Sequence, residues 1–200
     1  MAAFRDIVSI AAGDGLIFDA GALKIEDVRK EAGYPGVRVH LTAELARARC
    51  KVQIDIGFGD AVTPAPMRVI YPVLLDDLPV PQIHVYPAYT VIAEKLHAIV
   101  VLGMANTRLK DYYDLSVLIE REKLDQKILS SAIQATFARR QTHLPAEIPI
   151  GLTDEYAQDP SKQTQWAAFL RKNNLATASL SDLVAALRSG LEEPLFGQGR

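Results

Sequence analysis

The chain has 200 residues, 22 Lys+Arg against 24 Asp+Glu, and a formal net charge of -2. That length suffices for one sizeable core, and a 49 % hydrophobic content excludes a disordered or collagenous chain. Near-neutral charge excludes a strongly basic nucleic-acid coat, and one cysteine, Cys50, excludes an intramolecular disulfide framework or an all-cysteine metal cage.

In chain order, Phe4, Ile7, Val8 and Ile10 fit either the end of a helix or the start of a strand. No secretory signal pattern opens the chain. Gly13-Asp14-Gly15 marks a turn, and Leu16-Ile17-Phe18 a short strand. Residues 22–32 read as a short helix, closed by the turn signal Gly33-Tyr34-Pro35-Gly36. Two strands stand out. Val37, Val39 and Leu41 alternate with Arg38 and His40, and Val52, Ile54 and Ile56 alternate with Lys51, Gln53 and Asp55. The short connection between them predicts antiparallel pairing. Gly57 and Gly59 end the second strand, and a proline-rich stretch follows, with short strands at Val69–Tyr71 and Ile83–Tyr86.

The pattern changes to a helical period at Pro87. Val91, Ile92, Lys95, Leu96, Ile99 and Leu102 predict a first long helix, with Gly103 near its end. Glu94, Lys95 and His97 interrupt its apolar run, so no stretch reaches the uncharged length that crosses a bilayer, and the expected location is cytoplasmic. Further helices are predicted over 107–120, 125–139 and 181–195, and the stretch 161–170 between the last two carries Trp166 and Phe169. The sequence thus divides into a mixed-sheet region, 1–87, and a helical region, 88–200, an α+β arrangement.

Three stretches can carry chemistry. Asp55 projects from a strand on the face it shares with Lys51 and Gln53. A carboxylate there can hold Mg²⁺, a hard cation that takes oxygen ligands, or pair with Lys51 on a solvated face. Lys95 lies beside the apolar stripe of its helix, placed to snorkel or to deliver a point charge to a phosphate. In Lys110-Asp111-Tyr112-Tyr113-Asp114-Leu115, Asp111 and Asp114 share a helical face. They fit either N-terminal charge complementing the helix dipole or members of a site. The two tyrosines fit stacking on a base or a place in the core. A strand aspartate, a helix lysine and a helix aspartate that converge would suit nucleoside triphosphate chemistry. Arg139, Arg140, Arg171 and Lys172 form a second basic feature, suited to RNA phosphates or to a solvated helix end. His40, His84, His97 and His143 read as structural or surface groups.

The ordered set Tyr34–Val39, Val52–Asp60, Val91–Leu96, Lys110–Leu115 and Ala135–Arg140 resembles the AbiEii/AbiGii nucleotidyltransferase toxin family. The resemblance implies a polymerase-β-type nucleotidyltransferase sheet followed by a helical domain. It implies transfer of nucleotides from an NTP with Mg²⁺, for some members to the 3′ end of tRNA, and a cognate antitoxin. It assigns catalysis to Asp55, Lys95 and Asp111, nucleotide binding to Lys95, Lys51 and Asp114, and metal binding to Asp55. Members also carry a Gly-Ser turn and an Asp-x-Asp strand that this sequence lacks. The expectation is therefore an N-terminally incomplete member, weakly active or inactive by itself, whose exposed sheet edge is covered by a homo-oligomer or a partner. The alternative is a catalytically inactive, truncated remnant acting as an interaction or RNA-binding protein.

Overall fold

A computed structural model describes residues 2–28 and 36–197. The chain forms two compact units, Met1–Asp60 with Pro72–Val80, and Ala61–Tyr71 with Pro81–Arg200. The order of elements is the expected one, a β-sheet region followed by helices.

The first unit contains α1 (Ala2–Val8), β1 (Leu16–Phe18), β2 (Lys24–Val28), β3 (Gly36–Leu45) and β4 (Ala48–Gly57). Alternation decides its sheet. Val39, Leu41 and Ala43 are buried on one face of β3, and Val52, Ile54 and Ile56 of β4 lie half-buried on the same face. β4 pairs with β3 from Gly36↔Gly57 to Leu45↔Ala48, so the connection is only the two residues Ala46 and Arg47. β2 and β1 also pair with β3, at Lys24↔His40 to Val28↔Gly36 and at Leu16↔Leu45 to Phe18↔Ala43. All these pairings are antiparallel. Val8 joins Val39 and Leu41 in a small core, with Phe4, Phe18, Leu23 and Ile25 packed against it.

One expectation fails in this unit. The helix expected over 22–32 does not form over the described part. Ala20–Ala22 is a single 3₁₀ turn, capped by Asp19 Oδ1 accepting from Gly21 N at 2.9 Å, and Lys24–Val28 is a strand. Five strand residues that extend a sheet gain ladder hydrogen bonds that no isolated short helix offers. The expected turn residues Gly33, Tyr34 and Pro35 lie outside the described residues, as does the Tyr34–Pro35 part of the resemblance.

The second unit contains the hairpin β5 (Met67–Ile70) and β6 (Gln82–Val85), then α2 (Ala88–Leu102), α3 (Leu109–Arg121), α4 (Gln126–Arg139), α5 (Asp154–Gln158), α6 (Pro160–Asn173) and α7 (Leu180–Phe196). The ends of α2 are the expected ones. Pro87 precedes α2, and Gly103, at φ 49°, ends it. Asp125 Oδ1 accepts from Lys127 N at 2.8 Å, and Asp159 Oδ1 from Ser161 N at 2.9 Å. α5 was not expected, because five residues are too few to show a helical period.

By length and composition, α2 with its 3₁₀ extension passes as a bilayer span, contrary to the sequence reading. Its Ile92, Ala93, Leu96 and Ile99 are instead completely buried, together with Leu115, Leu129, Ile133 and Val184. Each large apolar side chain buried this way contributes about 1.5–3 kcal/mol, so this cluster is the main stabilising mass of the unit. Tyr112 settles its own alternative. It is fully buried, stacked on Tyr156 at 5.2 Å between ring centroids, and donates to Gly151 O at 3.0 Å, so it is not a base platform.

Of its two expected places, structural or surface, His97 takes the structural one, buried in the core. The Arg140 guanidinium can only donate, so His97 Nδ1 accepts from it at 3.1 Å and the other nitrogen carries the proton toward Thr142 Oγ1 at 3.0 Å. Arg140 also pairs with Glu94 at 3.5 Å and is only 17 % exposed. Arg140 is thus in neither of its two expected settings, an RNA-facing surface or a solvated helix end. Arg139, Arg171 and Lys172 are exposed.

Candidate active site

The helical unit brings Lys95, Asp111 and Asp114 together. Lys95 follows Ile92 by three residues and precedes Ile99 by four, so it emerges at the border of the apolar stripe of α2. Asp111 and Asp114 sit in the first two turns of α3. Lys95 Nζ donates to Asp111 Oδ1 at 2.8 Å and to Asp114 Oδ2 at 2.7 Å. The side chains are 17 %, 5 % and 21 % exposed, respectively. One ammonium thus bridges two carboxylates in a largely desolvated position.

Two more cations complete the cluster. Arg108 Nε meets Asp111 Oδ2 at 2.7 Å, as an ion pair without hydrogen-bond alignment. Lys110 pairs with Asp114 Oδ2 one turn away, the i,i+4 arrangement legible in sequence. Arg108 was missed, although its i,i+3 spacing to Asp111 is visible. Three cations against two anions leave one net positive charge.

The electrostatics follow. Burial works against the Lys95 ammonium, but its hydrogen bonds to Asp111 and Asp114 outweigh burial and raise its pKa above the ordinary lysine value. Burial likewise opposes the Asp114 carboxylate. Hydrogen bonds from Lys110 and Lys95 outweigh it and lower the pKa below the usual carboxylate range. Lys95 is therefore a permanently charged, oriented donor at neutral pH.

Asp55 belongs to the other unit. It stands directly opposite Arg38 across the β3–β4 pairing, and both its oxygens receive that guanidinium, Oδ1 from Nε at 2.7 Å and Oδ2 from Nη2 at 2.9 Å. The partner is thus Arg38, not the Lys51 suggested by the strand face. Lys51 is four residues along the same strand, a separation of about 13 Å at strand rise, whereas cross-strand neighbours lie about 5 Å apart.

Mg²⁺ requires several hard oxygen donors. Among the described residues, no three His, Cys, Asp or Glu side chains gather as a cage. Asp55 offers a single carboxylate with a guanidinium already on both oxygens. The residues as arranged do not fit a magnesium site at Asp55.

No curated protein matches the chain. The family model described as nucleotidyl transferase AbiEii toxin, type IV toxin–antitoxin system, matches residues 2–189. That match spans both the sheet unit and the Lys95 cluster, so the chain belongs to the AbiEii nucleotidyl transferase toxin family.

Proposed function

We propose that this toxin-family chain transfers a nucleotidyl group from an NTP to an RNA acceptor, the 3′ end of tRNA, and that Lys95, Asp111 and Asp114 supply the triphosphate-binding side of the site. The supporting observation is the bridging Lys95 ammonium, held charged between Asp111 and Asp114. A compact ammonium suits phosphate oxygens, and charge aligned before substrate arrives needs no reorganisation during reaction. The net positive charge of the cluster favours an anionic ligand.

In the reaction, an acceptor hydroxyl oxygen bonds to the α-phosphorus as the bond to the bridging oxygen breaks. Pyrophosphate leaves with that electron pair, and the hydroxyl proton passes to a base. Lys95 neutralises charge on the leaving phosphates. Asp111 and Asp114 fix its position and are positioning residues. Membership of a toxin–antitoxin family implies a cognate antitoxin that restrains the activity.

The experiment is incorporation of label from each α-labelled NTP into tRNA, with divalent metal present. The expected result is weak but measurable transfer by the wild-type chain. Lys95→Met should reduce it at least 100-fold, the scale of losing one preorganised charge stabiliser. Equal transfer by Lys95→Met, or no transfer with any nucleotide, would overturn the proposal.

A further inference from the structure

Lys162 is a cation inside the helical unit. It lies in the first turn of α6, is 5 % exposed, and forms no ion pair among the described residues. Its Nζ donates instead to the backbone carbonyl of Asn106 at 2.9 Å and lies 5.3 Å from the centre of the Tyr156 ring. Moving an ammonium from water to a carbonyl and a ring face is unfavourable, and an apolar side chain of the same length would fill the space without that penalty. The first turn of a helix adds to the penalty, because the dipole there favours negative charge.

The ammonium holds the connection between α2 and α3, residues 103–108. Asn106 is completely buried there and fixed through backbone and side chain. Its carbonyl accepts from Lys162 and also from Tyr156 Oη at 3.0 Å. Its N–H donates to Gly103 O at 3.1 Å, and its Oδ1 accepts from Arg108 N at 2.8 Å. No side chain caps α3, so the turn that Asn106 Oδ1 closes onto Arg108 sets where the helix begins. Asp111 N donates to Arg108 O at 2.9 Å in the first turn of that helix. Lys95 precedes the connection and both aspartates follow it. Turning α3 by one residue, about 100°, would carry both carboxylates off the Lys95 ammonium.

We infer that Lys162 is a positioning residue for the Lys95 cluster: through the Asn106 carbonyl it locks the α2–α3 connection, so that Asp111 and Asp114 meet the Lys95 ammonium. This rests on the reading of that cluster as the triphosphate side of the site. Tyr156 reinforces the lock from α5, because it shares the same carbonyl and stacks on Tyr112 of α3.

Lysine ammonium signals in ¹H–¹⁵N NMR spectra test it. An ammonium held by buried acceptors exchanges slowly with water and gives a signal, whereas an exposed one exchanges too fast. The wild-type chain is expected to show both Lys95 and Lys162. Lys95→Met should remove its own signal and keep that of Lys162. Lys162→Met should remove both, while its urea midpoint, read from Trp166, stays at or above that of the wild type, because a buried ion gives way to an apolar side chain. Asn106→Ala keeps the carbonyl and removes the Oδ1 acceptor, so it should lose the Lys95 signal and keep that of Lys162. If Lys162→Met does not fold, Asn106→Ala decides. A Lys95 signal that persists in either folded variant, or that the wild type lacks, overturns the inference.

Label transfer from the NTP is read alongside. Lys162→Met should lower it at least about tenfold, the scale of a misplaced charge stabiliser, and equal transfer also overturns the inference. Absence of transfer by the wild-type chain refutes the reading of the cluster as a transfer site and leaves the ammonium signals to decide the role of Lys162.

Discussion

Replacing Lys95 with Met tests how the cluster behaves as a structural element. The substitution keeps the length of the side chain and removes the ammonium that bridges Asp111 and Asp114. Stripping a buried carboxylate of its only partner costs about 3–5 kcal/mol. Here each aspartate keeps a second cation, Arg108 for Asp111 and Lys110 for Asp114, whose side chains are 59 % and 73 % exposed. Exposed pairs contribute about 0–1 kcal/mol, so the expected loss at neutral pH is about 2–5 kcal/mol. Urea unfolding followed by fluorescence measures it. Trp166, the sole tryptophan, is buried against Phe169 at 5.4 Å between ring centroids and reports on the helical unit. Removing the carboxylates as well, by Asp111→Asn and Asp114→Asn, should recover most of the loss, because no charge is then left buried. The pH dependence follows from the two shifts. Lys95 is raised in the folded state, so its contribution is complete below the unfolded lysine pKa, about 10.4, and is lost as pH rises through the folded value. Asp114 is lowered, so its contribution is complete above about 3.9 and is lost as pH falls through the folded value. A Lys95→Met loss under about 0.5 kcal/mol would refute the reasoning, since the cluster would then behave as a surface pair.

Two further outcomes are expected. Burial, helped by the Arg140 guanidinium, lowers the His97 pKa to about 4. The unfolded chain, with His near 6.5, takes up that proton first, so about 2 kcal/mol of stability is lost between pH 8 and pH 5. His97→Asn should flatten that slope in urea titrations across this range. At Gly151, an added Cβ would lie 2.7 Å from Ile99 Cγ2 and 2.8 Å from Tyr112 Oη. Gly151→Ala should therefore cost about 1–3 kcal/mol of overpacking, read as a lowered Tm, and an unchanged Tm would show that the site can relax.

Local patterning carried most of the fold. Alternation at Val37–Leu41 and Val52–Ile56 specified the β3–β4 hairpin, and the stripe from Ile92 to Ile99 specified α2 with its ends at Pro87 and Gly103. Lys24–Val28 was misread because its strand character depends on pairing with β3, which no local period records. Two members of the candidate site, Asp111 and Asp114, were legible as a pair on one helical turn. Their meeting with Lys95 was an expectation of chemistry, not of pattern.

By itself the sequence determined the sheet-then-helix order, the strand and helix faces and the family, because each depends on residue types at short, regular spacings. Only the tertiary structure decided the pairings of charge. It placed Lys95 between two carboxylates sixteen and nineteen residues away, gave Asp55 to Arg38 rather than to Lys51, and drew Arg140 in to His97 and Glu94. Desolvation made the choice at Lys95, since a charge leaving water must be paired, whereas the exposed Arg38–Asp55 pair follows from the strand register, which sets the two residues directly opposite each other.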